Sequence, residues 1–214
     1  MGNTTFDLIA NFYPLLEEMV FGSALSRSRR IFARRVTEGN NILLIGEGNG
    51  RYLFEMLKQN SSASFTVVDS SARMLAATAR RISTVDRCPS IELIHADILE
   101  WRPPAGNYDR VVTHFLLDLF TPYRICRIVE KISRLAMENT LWINVDFTSE
   151  NQCLQQKLLM WAQYRFFRIS AGIEASRLFD SLPYIQQAGW KILEVKSLNS
   201  GWISAHLMCR HHRQ

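Results

Sequence analysis

The chain has 214 residues, of which 47% are hydrophobic and 21% charged, with a formal net charge of +5. This length and composition fit one globular domain with a substantial core and exclude a disordered chain. No apolar run reaches the ~18 residues that a membrane-spanning helix needs. The four cysteines are scattered without zinc-binding pairs, so the sequence predicts no metal site and a reducing, cytoplasmic setting.

Residues 5–37 predict two helices with a break near Gly22. Helical spacing places Arg27, Arg30 and Arg34 on one face, opposite an apolar face. We interpret the basic face as the solvated outside of an amphipathic helix, with contact to an anionic partner as the alternative.

A strand and a glycine-rich turn are predicted next. Residues 41–45 form an apolar run typical of a buried strand, and Gly46, Gly48 and Gly50 follow directly. Glycines let backbone N–H groups approach a ligand closely at the start of the following helix. Together with a second strand that ends in a carboxylate, this turn predicts a nucleoside-binding unit.

Two carboxylates follow the next two predicted strands. Asp69 ends the strand at 64–68 and comes 23 positions after Gly46, one strand–helix–strand crossover later. That crossover places Asp69 beside the glycine turn, where its acceptor oxygens suit two ribose hydroxyls. Asp97 follows the strand Ile91–His95, 28 positions further on, so we expect both carboxylates to line one crevice.

The remaining elements alternate between strands and helices. In chain order they are a helix at 71–82, a strand at 109–113, a helix at about 122–136, a strand at 140–145, an apolar helix at about 151–169, a helix at about 179–188, and strands near 190–197 and 202–209. This alternation predicts a doubly wound, mostly parallel α/β sheet of seven strands. The short turn between the last two strands makes them antiparallel, so we expect the last strand to insert antiparallel into the sheet.

These motifs resemble those of class I S-adenosylmethionine-dependent methyltransferases, over about residues 41–208. The matching segments are Ile45–Gly50 for the first motif, Val67–Leu75 for the second, Asp97–Ile98 for the third and Tyr108–Thr113 for the fourth. The resemblance implies a Rossmann-like fold and S-adenosyl-L-methionine as the cofactor. The G-x-G-x-G spacing has its third glycine one position earlier than a dinucleotide motif, which disfavours a nicotinamide or flavin enzyme.

The resemblance also implies the residues of the cofactor site. They are Gly46, Glu47, Gly48, Gly50, Asp69, Ser70, Met74, Asp97, Ile98 and Thr113. In similar enzymes Met74 packs near the adenine, and the Asp97 carboxylate meets the adenine amino group.

One position departs from the family pattern. Relatives carry Asp or Glu two residues before the first glycine, where it helps to hold the amino end of the methionine moiety. Leu44 stands at that position in this chain. Glu47, inside the turn, is the candidate for a substitute negative charge.

The end of the fourth strand faces the reacting methyl group in similar enzymes. His114 follows this strand and is the candidate general base, since its unperturbed pKa is near ~6.5. The alternative for His114 is a structural hydrogen bond or a role in shaping the substrate pocket. Asp118 and Asp146 lie on the same rim, each with the alternative of a helix-flanking or turn residue.

We expect a single methyltransferase domain over residues 1–214. Its parts are a helical N-terminal lid at 1–38, a cofactor-binding half at 39–147, and substrate-side helices with a closing hairpin at 148–214. The apolar segment 154–169 predicts a lid over the substrate pocket. Its alternatives are a helix buried against the sheet, a homodimer contact and a peripheral membrane contact.

The sequence therefore predicts methyl transfer to a small, lipophilic or aromatic acceptor at oxygen, nitrogen or carbon. Within the family it resembles small bacterial enzymes similar to ubiquinone/menaquinone C-methyltransferases and phospholipid N-methyltransferases. A nucleic-acid partner is not expected, because the charge excess is small and no RNA-binding module is present. The alternatives are a non-catalytic binding or scaffold protein that keeps the fold, which Leu44 favours, and a nicotinamide-dependent oxidoreductase.

Overall fold

Helices and strands alternate in the computed structural model, which describes residues 24–59, 62–85, 90–104, 107–148, 178–198 and 201–210. The helices are α1 (Ala24–Arg30), α2 (Ala33–Thr37), α3 (Arg51–Gln59), α4 (Ala72–Ile82), α5 (Pro122–Leu135) and α6 (Leu182–Gln187), with a 3₁₀ helix at Leu117–Leu119. The strands are β1 (Asn41–Ile45), β2 (Ser64–Asp69), β3 (Ile91–His95), β4 (Tyr108–His114), β5 (Ala136–Phe147), β6 (Trp190–Leu198) and β7 (Ile203–Arg210). Within these ranges, every helix is too short or too polar to span a bilayer.

All seven strands form one sheet with the order β3-β2-β1-β4-β5-β7-β6. Strands β1 to β5 pair in parallel, whereas β7 pairs antiparallel with both β5 and β6. The sheet is therefore doubly wound, and its last strand is inserted antiparallel between two earlier ones. Both sequence predictions about the sheet are confirmed.

The sheet is covered on both faces, which explains the continuous apolar runs in its central strands. In β1, Ile42 and Leu44 pack into the core formed with α1 to α4, while Leu43 and Ile45 pack into the core formed with α5 and α6. All four side chains are at most 3% exposed. Two apolar layers thus hold β1 at the centre of the sheet.

Most predicted elements are present within one or two residues of their expected ends. Helix α6 is shorter than expected, since it begins at Leu182, whose N–H donates to the Asp180 carboxylate at 2.9 Å. It ends at Gln187, and Gly189 then turns the chain with a φ of +90°. Strand β5 starts four residues early, because a register shift lets Ala136 pair with Tyr108. The predicted helix before Gly22 and the predicted helix at 151–169 lie outside the described residues. The helix predicted from Gly22 to residue 37 is divided in two, since α1 ends at Arg30 and α2 begins at Ala33.

The parallel strands bring their carboxyl ends to one edge. Ile45 of β1 lies level with Val68 of β2 and Thr113 of β4, and Asp69 lies level with His95 of β3. The turns that follow these four strands are therefore neighbours in space. This edge is where open α/β sheets bind ligands.

Candidate functional site

The glycine turn after β1 combines close packing with one open position. Gly46, Gly48 and Gly50 have φ values of +66°, +74° and +75°, a region that residues with side chains rarely adopt. A Cβ on Gly46 would lie 2.6 Å from Leu116 Cδ1, and one on Gly50 would lie 2.8 Å from Thr78 Cγ2. A Cβ on Gly48 would meet no atom of the described residues within 4 Å, so among these residues the middle of the turn borders open space.

Asp69 joins this turn to the end of β2, as the sequence predicts. Its Oδ2 accepts a hydrogen bond from the Gly48 N–H at 3.0 Å, and its Oδ1 accepts one from the Ser71 N–H at 2.9 Å. Burial raises the pKa of Asp69, while these two backbone hydrogen bonds oppose the rise. Each carboxylate oxygen has a second lone pair, which leaves acceptor capacity for ribose hydroxyls.

The start of α4 holds the other residues expected near the nucleoside. Ser71 caps the helix, since its Oγ accepts the Met74 N–H at 3.3 Å. Ser70 is exposed at the rim, with its carbonyl oxygen 3.1 Å from His95 Nε2. Met74 is half-buried in the first helical turn. The structure therefore brings Ser70 and Met74 to the same edge as Asp69.

Asp97 lies in the turn after β3 and has a partner that sequence reasoning missed. Its Oδ1 accepts the Leu99 N–H at 2.8 Å, while Arg124 Nη2 of α5 donates to its Oδ2. The Arg124 guanidinium also lies over the Phe120 ring, 5.1 Å from its centroid. Ile98 is 5% exposed and packs in the core, so only its backbone can contact a ligand.

These observations fit the nucleoside half of S-adenosylmethionine. A cradle with open space at Gly48 adjoins Asp69, whose oxygens retain acceptor capacity, and a second carboxylate, Asp97, lies at the same edge. Positive-φ glycines permit close approach of the backbone, and carboxylates accept hydrogen bonds from hydroxyl and amino groups. The residues present could therefore hold this cofactor.

Glu47 has a different environment from the one that its position in the turn suggests. Its Oε1 accepts the N–H groups of Tyr52 and Leu53 at 2.9 and 3.0 Å, so the carboxyl caps the start of α3. Burial raises the pKa of Glu47 to about 7, although these hydrogen bonds and the positive charge of Arg29 oppose the rise. Leu44 is 1% exposed and belongs to the core.

His114 lies at the carboxyl end of β4 and is 7% exposed. Neither of its ring nitrogens has a hydrogen-bond partner in the part of the chain that the structure describes. Its ring meets Tyr52 edge to face, with centroids 4.6 Å apart. Burial, together with the charge of Arg29, holds the pKa of His114 well below its usual range, so the imidazole is neutral. The Tyr52 contact gave no signal in the sequence.

Thr113 uses its hydroxyl within the sheet. Its Oγ1 donates to Asn144 Oδ1 at 2.7 Å and accepts from Trp142 Nε1 at 2.8 Å. Thr113 is completely buried, so contact with a cofactor would come from its backbone. Asn144 Nδ2 in turn donates to Asp146 Oδ2 at 3.1 Å.

Asp118 and Asp146 form a buried carboxyl pair beside the end of β5. They are 3% and 6% exposed, and they share a hydrogen bond. Burial and the charge of Asp118 raise the pKa of Asp146 well above its usual range. The Leu116 N–H donates to Asp146 Oδ1 at 3.1 Å, which ties the turn after β4 to β5. Both rim candidates are thus engaged in holding this turn.

Across the described ranges, no three His, Cys, Asp or Glu side chains are grouped so that they could hold a metal ion.

Comparison with known proteins identifies a domain and a fold. Residues 42–139 match the family model of a methyltransferase domain. No curated protein matches the sequence. The solved structures that resemble the chain share less than a sixth of its residues, so their likeness concerns the fold.

Three of these structures illustrate the range of activities among proteins with this fold. The N-methyltransferase NodS from Bradyrhizobium japonicum WM9, in complex with S-adenosyl-l-homocysteine, has a TM-score of 0.64 at 13% identity, covering 88% of each chain. The mitomycin 7-O-methyltransferase MmcR has a TM-score of 0.68 at 14% identity, covering 97% of this chain and 61% of that one. The [4+2]-cyclase SpnF has a TM-score of 0.67 at 13% identity, covering 87% and 82%.

Proposed function

We propose that this chain is an S-adenosylmethionine-dependent methyltransferase and that it methylates a small lipophilic or aromatic acceptor. The methyltransferase domain matched by residues 42–139 and the fold shared with NodS support the proposal. The observation that supports cofactor binding best is the hydrogen bond between Asp69 and the Gly48 N–H, which joins the carboxylate to the open glycine turn. The lipophilic acceptor is inferred from the apolar sequence of residues 154–169. Oxygen, nitrogen and carbon all remain candidate acceptor atoms.

The residues of the carboxyl edge have separate roles in this proposal. Asp69 accepts hydrogen bonds from the ribose, and Gly46, Gly48 and Gly50 let the backbone approach the ligand. A second group of residues borders the adenine, namely Ser70, Met74, Asp97 and the backbone of Ile98. The methionine moiety lies beside the backbone of Thr113 and the turn that contains Glu47. The bound cofactor supplies an electrophilic methyl group. The chain contributes by aligning donor and acceptor and by excluding water.

We propose His114 as the base for an acceptor that must lose a proton. Neither ring nitrogen has a hydrogen-bond partner among the described residues, so the neutral imidazole has a lone pair that can accept a proton. Burial lowers the pKa of His114, which makes it a weak base until substrate binding changes its surroundings. The pair Asp118 and Asp146 is less suited to this task, because its carboxyl groups hydrogen-bond to each other.

We expect Asp69→Ala to weaken the binding of S-adenosylmethionine by about 1–3 kcal/mol, because the ribose hydroxyls lose their acceptor. Isothermal titration measures this change. Asp69→Asn retains the side-chain shape and provides a second variant if Asp69→Ala folds poorly. Unchanged affinity in both variants would contradict the ribose assignment.

Asp109→Ala provides the matched control. Asp109 also anchors backbone, accepting the N–H groups of Asn40 and Asn41 at 2.9 and 3.1 Å, but it lies at the opposite edge of the sheet. This variant should lose stability and keep its cofactor affinity. A comparable loss of affinity would show that the Asp69 effect arises from general destabilisation.

We expect His114→Ala to lower turnover by roughly 10²–10⁴-fold and to leave cofactor affinity unchanged, since a general base contributes about that factor. A mass-spectrometric screen for metabolites that gain one methyl group would first identify an acceptor. Turnover equal to that of the unmodified protein would assign His114 a structural role.

One observation favours the non-catalytic alternative, namely that Leu44 occupies the usual acidic position. The similar fold of the [4+2]-cyclase SpnF shows separately that fold alone does not establish methyl transfer. Titration with S-adenosylmethionine at millimolar concentration, beside a nicotinamide dinucleotide, separates the alternatives. A lack of S-adenosylmethionine binding would favour a scaffold, and preference for the dinucleotide would favour an oxidoreductase.

The cellular location of the protein and its contacts with other molecules are also proposals. We propose a cytoplasmic enzyme because Cys126 and Cys209 are free thiols in the described part of the chain. A homodimer or peripheral membrane contact through residues 154–169, and the division at 1–38, 39–147 and 148–214, stay predictions. Sedimentation and liposome flotation test the two contacts.

A further inference from the structure

The order of the strands indicates which end of the cofactor lies where, if the proposed function holds. The neighbouring strands β3, β2, β1 and β4 carry Asp97, Asp69, the glycine turn and His114 at one edge. A nucleoside at Asp69 and Asp97 therefore directs the amino-acid end of the cofactor toward β1 and β4. That end bears an α-carboxylate and an α-ammonium group.

The acidic residues at this end are poorly placed to hold the ammonium group. Leu44 replaces the usual carboxylate and is buried in the core. Glu47 directs its Oε1 to the N–H groups of Tyr52 and Leu53. Burial also raises the pKa of Glu47 to about 7, so a large fraction of this group is neutral near neutral pH.

A cation lies close to the same end. Arg29 on α1 is half-buried, and its guanidinium carbon is 5.3 Å from the centroid of the Phe115 ring, directly after β4. Phe115 is held in place in two ways. Its N–H donates to the Val145 carbonyl at 2.6 Å, and its ring packs against the Phe147 ring, with centroids 4.9 Å apart. Arg29 also exerts its charge on Glu47, which places the guanidinium near both turns.

Three other arginines of this region form ion pairs at the surface. Arg30 pairs with Glu55 at 3.6 Å, and Arg34 and Arg35 pair with Glu38 at 3.3 and 3.8 Å, and all three arginine side chains are at least half exposed. Arg29 differs from them because an aromatic ring fixes its guanidinium at the carboxyl edge of the sheet. A fixed guanidinium presents paired N–H donors that match the two oxygens of a carboxylate.

We propose that Arg29 binds the α-carboxylate of the cofactor's methionine moiety, and that this carboxylate contributes more to affinity than the α-ammonium group does. The usual acidic residue would favour the opposite balance. The inference rests on the proposed function, because it assumes that the edge binds S-adenosylmethionine.

Isothermal titration with S-adenosylhomocysteine and three analogues tests the inference without an acceptor. The analogues are the decarboxylated amine, the deaminated acid and 5′-methylthioadenosine, which lacks both groups. We expect loss of the carboxylate to weaken binding roughly 10- to 100-fold, which corresponds to the ~1.5–3 kcal/mol of a charge-assisted hydrogen bond. Loss of the amino group should weaken binding less than roughly 5-fold, the equivalent of ~1 kcal/mol.

Arg29→Gln should lower the affinity for S-adenosylhomocysteine to that of the decarboxylated analogue. Binding of 5′-methylthioadenosine should not change, because this ligand lacks the group that Arg29 contacts. Arg27→Gln is the control, since Arg27 is exposed on the same helix and its replacement removes the same charge. This control should bind all four ligands as the unmodified protein does.

Three results would overturn the inference. One is a larger loss of affinity from removing the amino group than from removing the carboxylate. The second is an unchanged affinity for S-adenosylhomocysteine in Arg29→Gln, and the third is an equal loss for 5′-methylthioadenosine, which indicates a structural role. If the unmodified protein binds neither S-adenosylhomocysteine nor 5′-methylthioadenosine, the proposed function fails as well.

Discussion

Single residues in the site depend on their surroundings more than on their place in a motif. Glu47 lies in the glycine turn, where the sequence suggests a charge that faces the cofactor. The N–H groups at the start of α3 attract its Oε1 instead, and burial favours its protonated form. His114 is affected in the opposite direction, since burial favours its neutral form. Burial thus lowers the charge of both groups.

The raised pKa of Glu47 predicts a pH-dependent stability. The folded protein binds the Glu47 proton more tightly than the unfolded chain, since the pKa rises from 4.5 to about 7. The Glu47 contribution to the free energy of unfolding should therefore decrease as the pH rises from 4.5 to about 7. Glu47→Gln should remove this contribution while its amide oxygen continues to accept from the Tyr52 N–H.

Urea unfolding at about pH 5 and about pH 8 measures the slope of the free energy of unfolding against pH. Glu55→Gln removes one acidic group from α3, the helix that Glu47 caps, and should leave the slope in place because Glu47 is retained. A slope that is unchanged in Glu47→Gln would show that other groups, such as Asp69 and Asp146, cause the whole pH dependence.

At the level of elements, the turn between β1 and α3 combines a proposed binding surface with a packing contact. Gly50 lies against α4, where Thr78 occupies the space that a side chain would need. Gly48 lies two residues earlier and borders open space among the described residues. Its carbonyl accepts a hydrogen bond from Thr78 Oγ1 at 2.9 Å. The two glycines therefore have similar φ values for different reasons.

We expect alanine at Gly50 to reduce mainly stability, and alanine at Gly48 to reduce mainly cofactor affinity. Both variants place a side chain at positive φ, which costs about 1–2 kcal/mol. Gly50→Ala should destabilise the protein further, because its Cβ would lie 2.9 Å from the Thr78 backbone Cα. Gly48→Ala should lose more cofactor affinity than stability, because its Cβ projects into the open space.

Urea unfolding and titration with S-adenosylhomocysteine, applied to both variants, measure the two quantities separately. Equal stability of the two variants would contradict the packing role of Gly50. Unimpaired cofactor affinity in Gly48→Ala would contradict the placement of the ligand at this turn.

At the level of the whole molecule, the sheet order gathers groups that are remote in the chain. Arg124 of α5 reaches Asp97, 27 positions earlier, and Asp146 holds the turn that follows β4. Strand β7 completes the arrangement by pairing with both β5 and β6. Two apolar layers, one on each face of the sheet, fix the relative positions of these groups, so the candidate site depends on the complete fold.

The sequence alone determined the fold class and the placement of Asp69 beside the glycine turn. Buried parallel strands require continuous apolar runs, and left-handed turns require glycine, so β1, the glycine turn and Asp69 were visible in the chain. Their sequence spacing was sufficient because one crossover separates them. The inserted last strand followed from the short turn before it.

Only the tertiary structure decided how the charged groups are used. The directions of the Glu47 and Asp97 carboxyls depend on donors from other elements, namely the start of α3 and Arg124. The position of Arg29 depends on how α1 packs beside Phe115. Sequence spacing reports neighbours along a strand or helix, whereas burial and contacts between elements determine the ionisation and direction of a side chain.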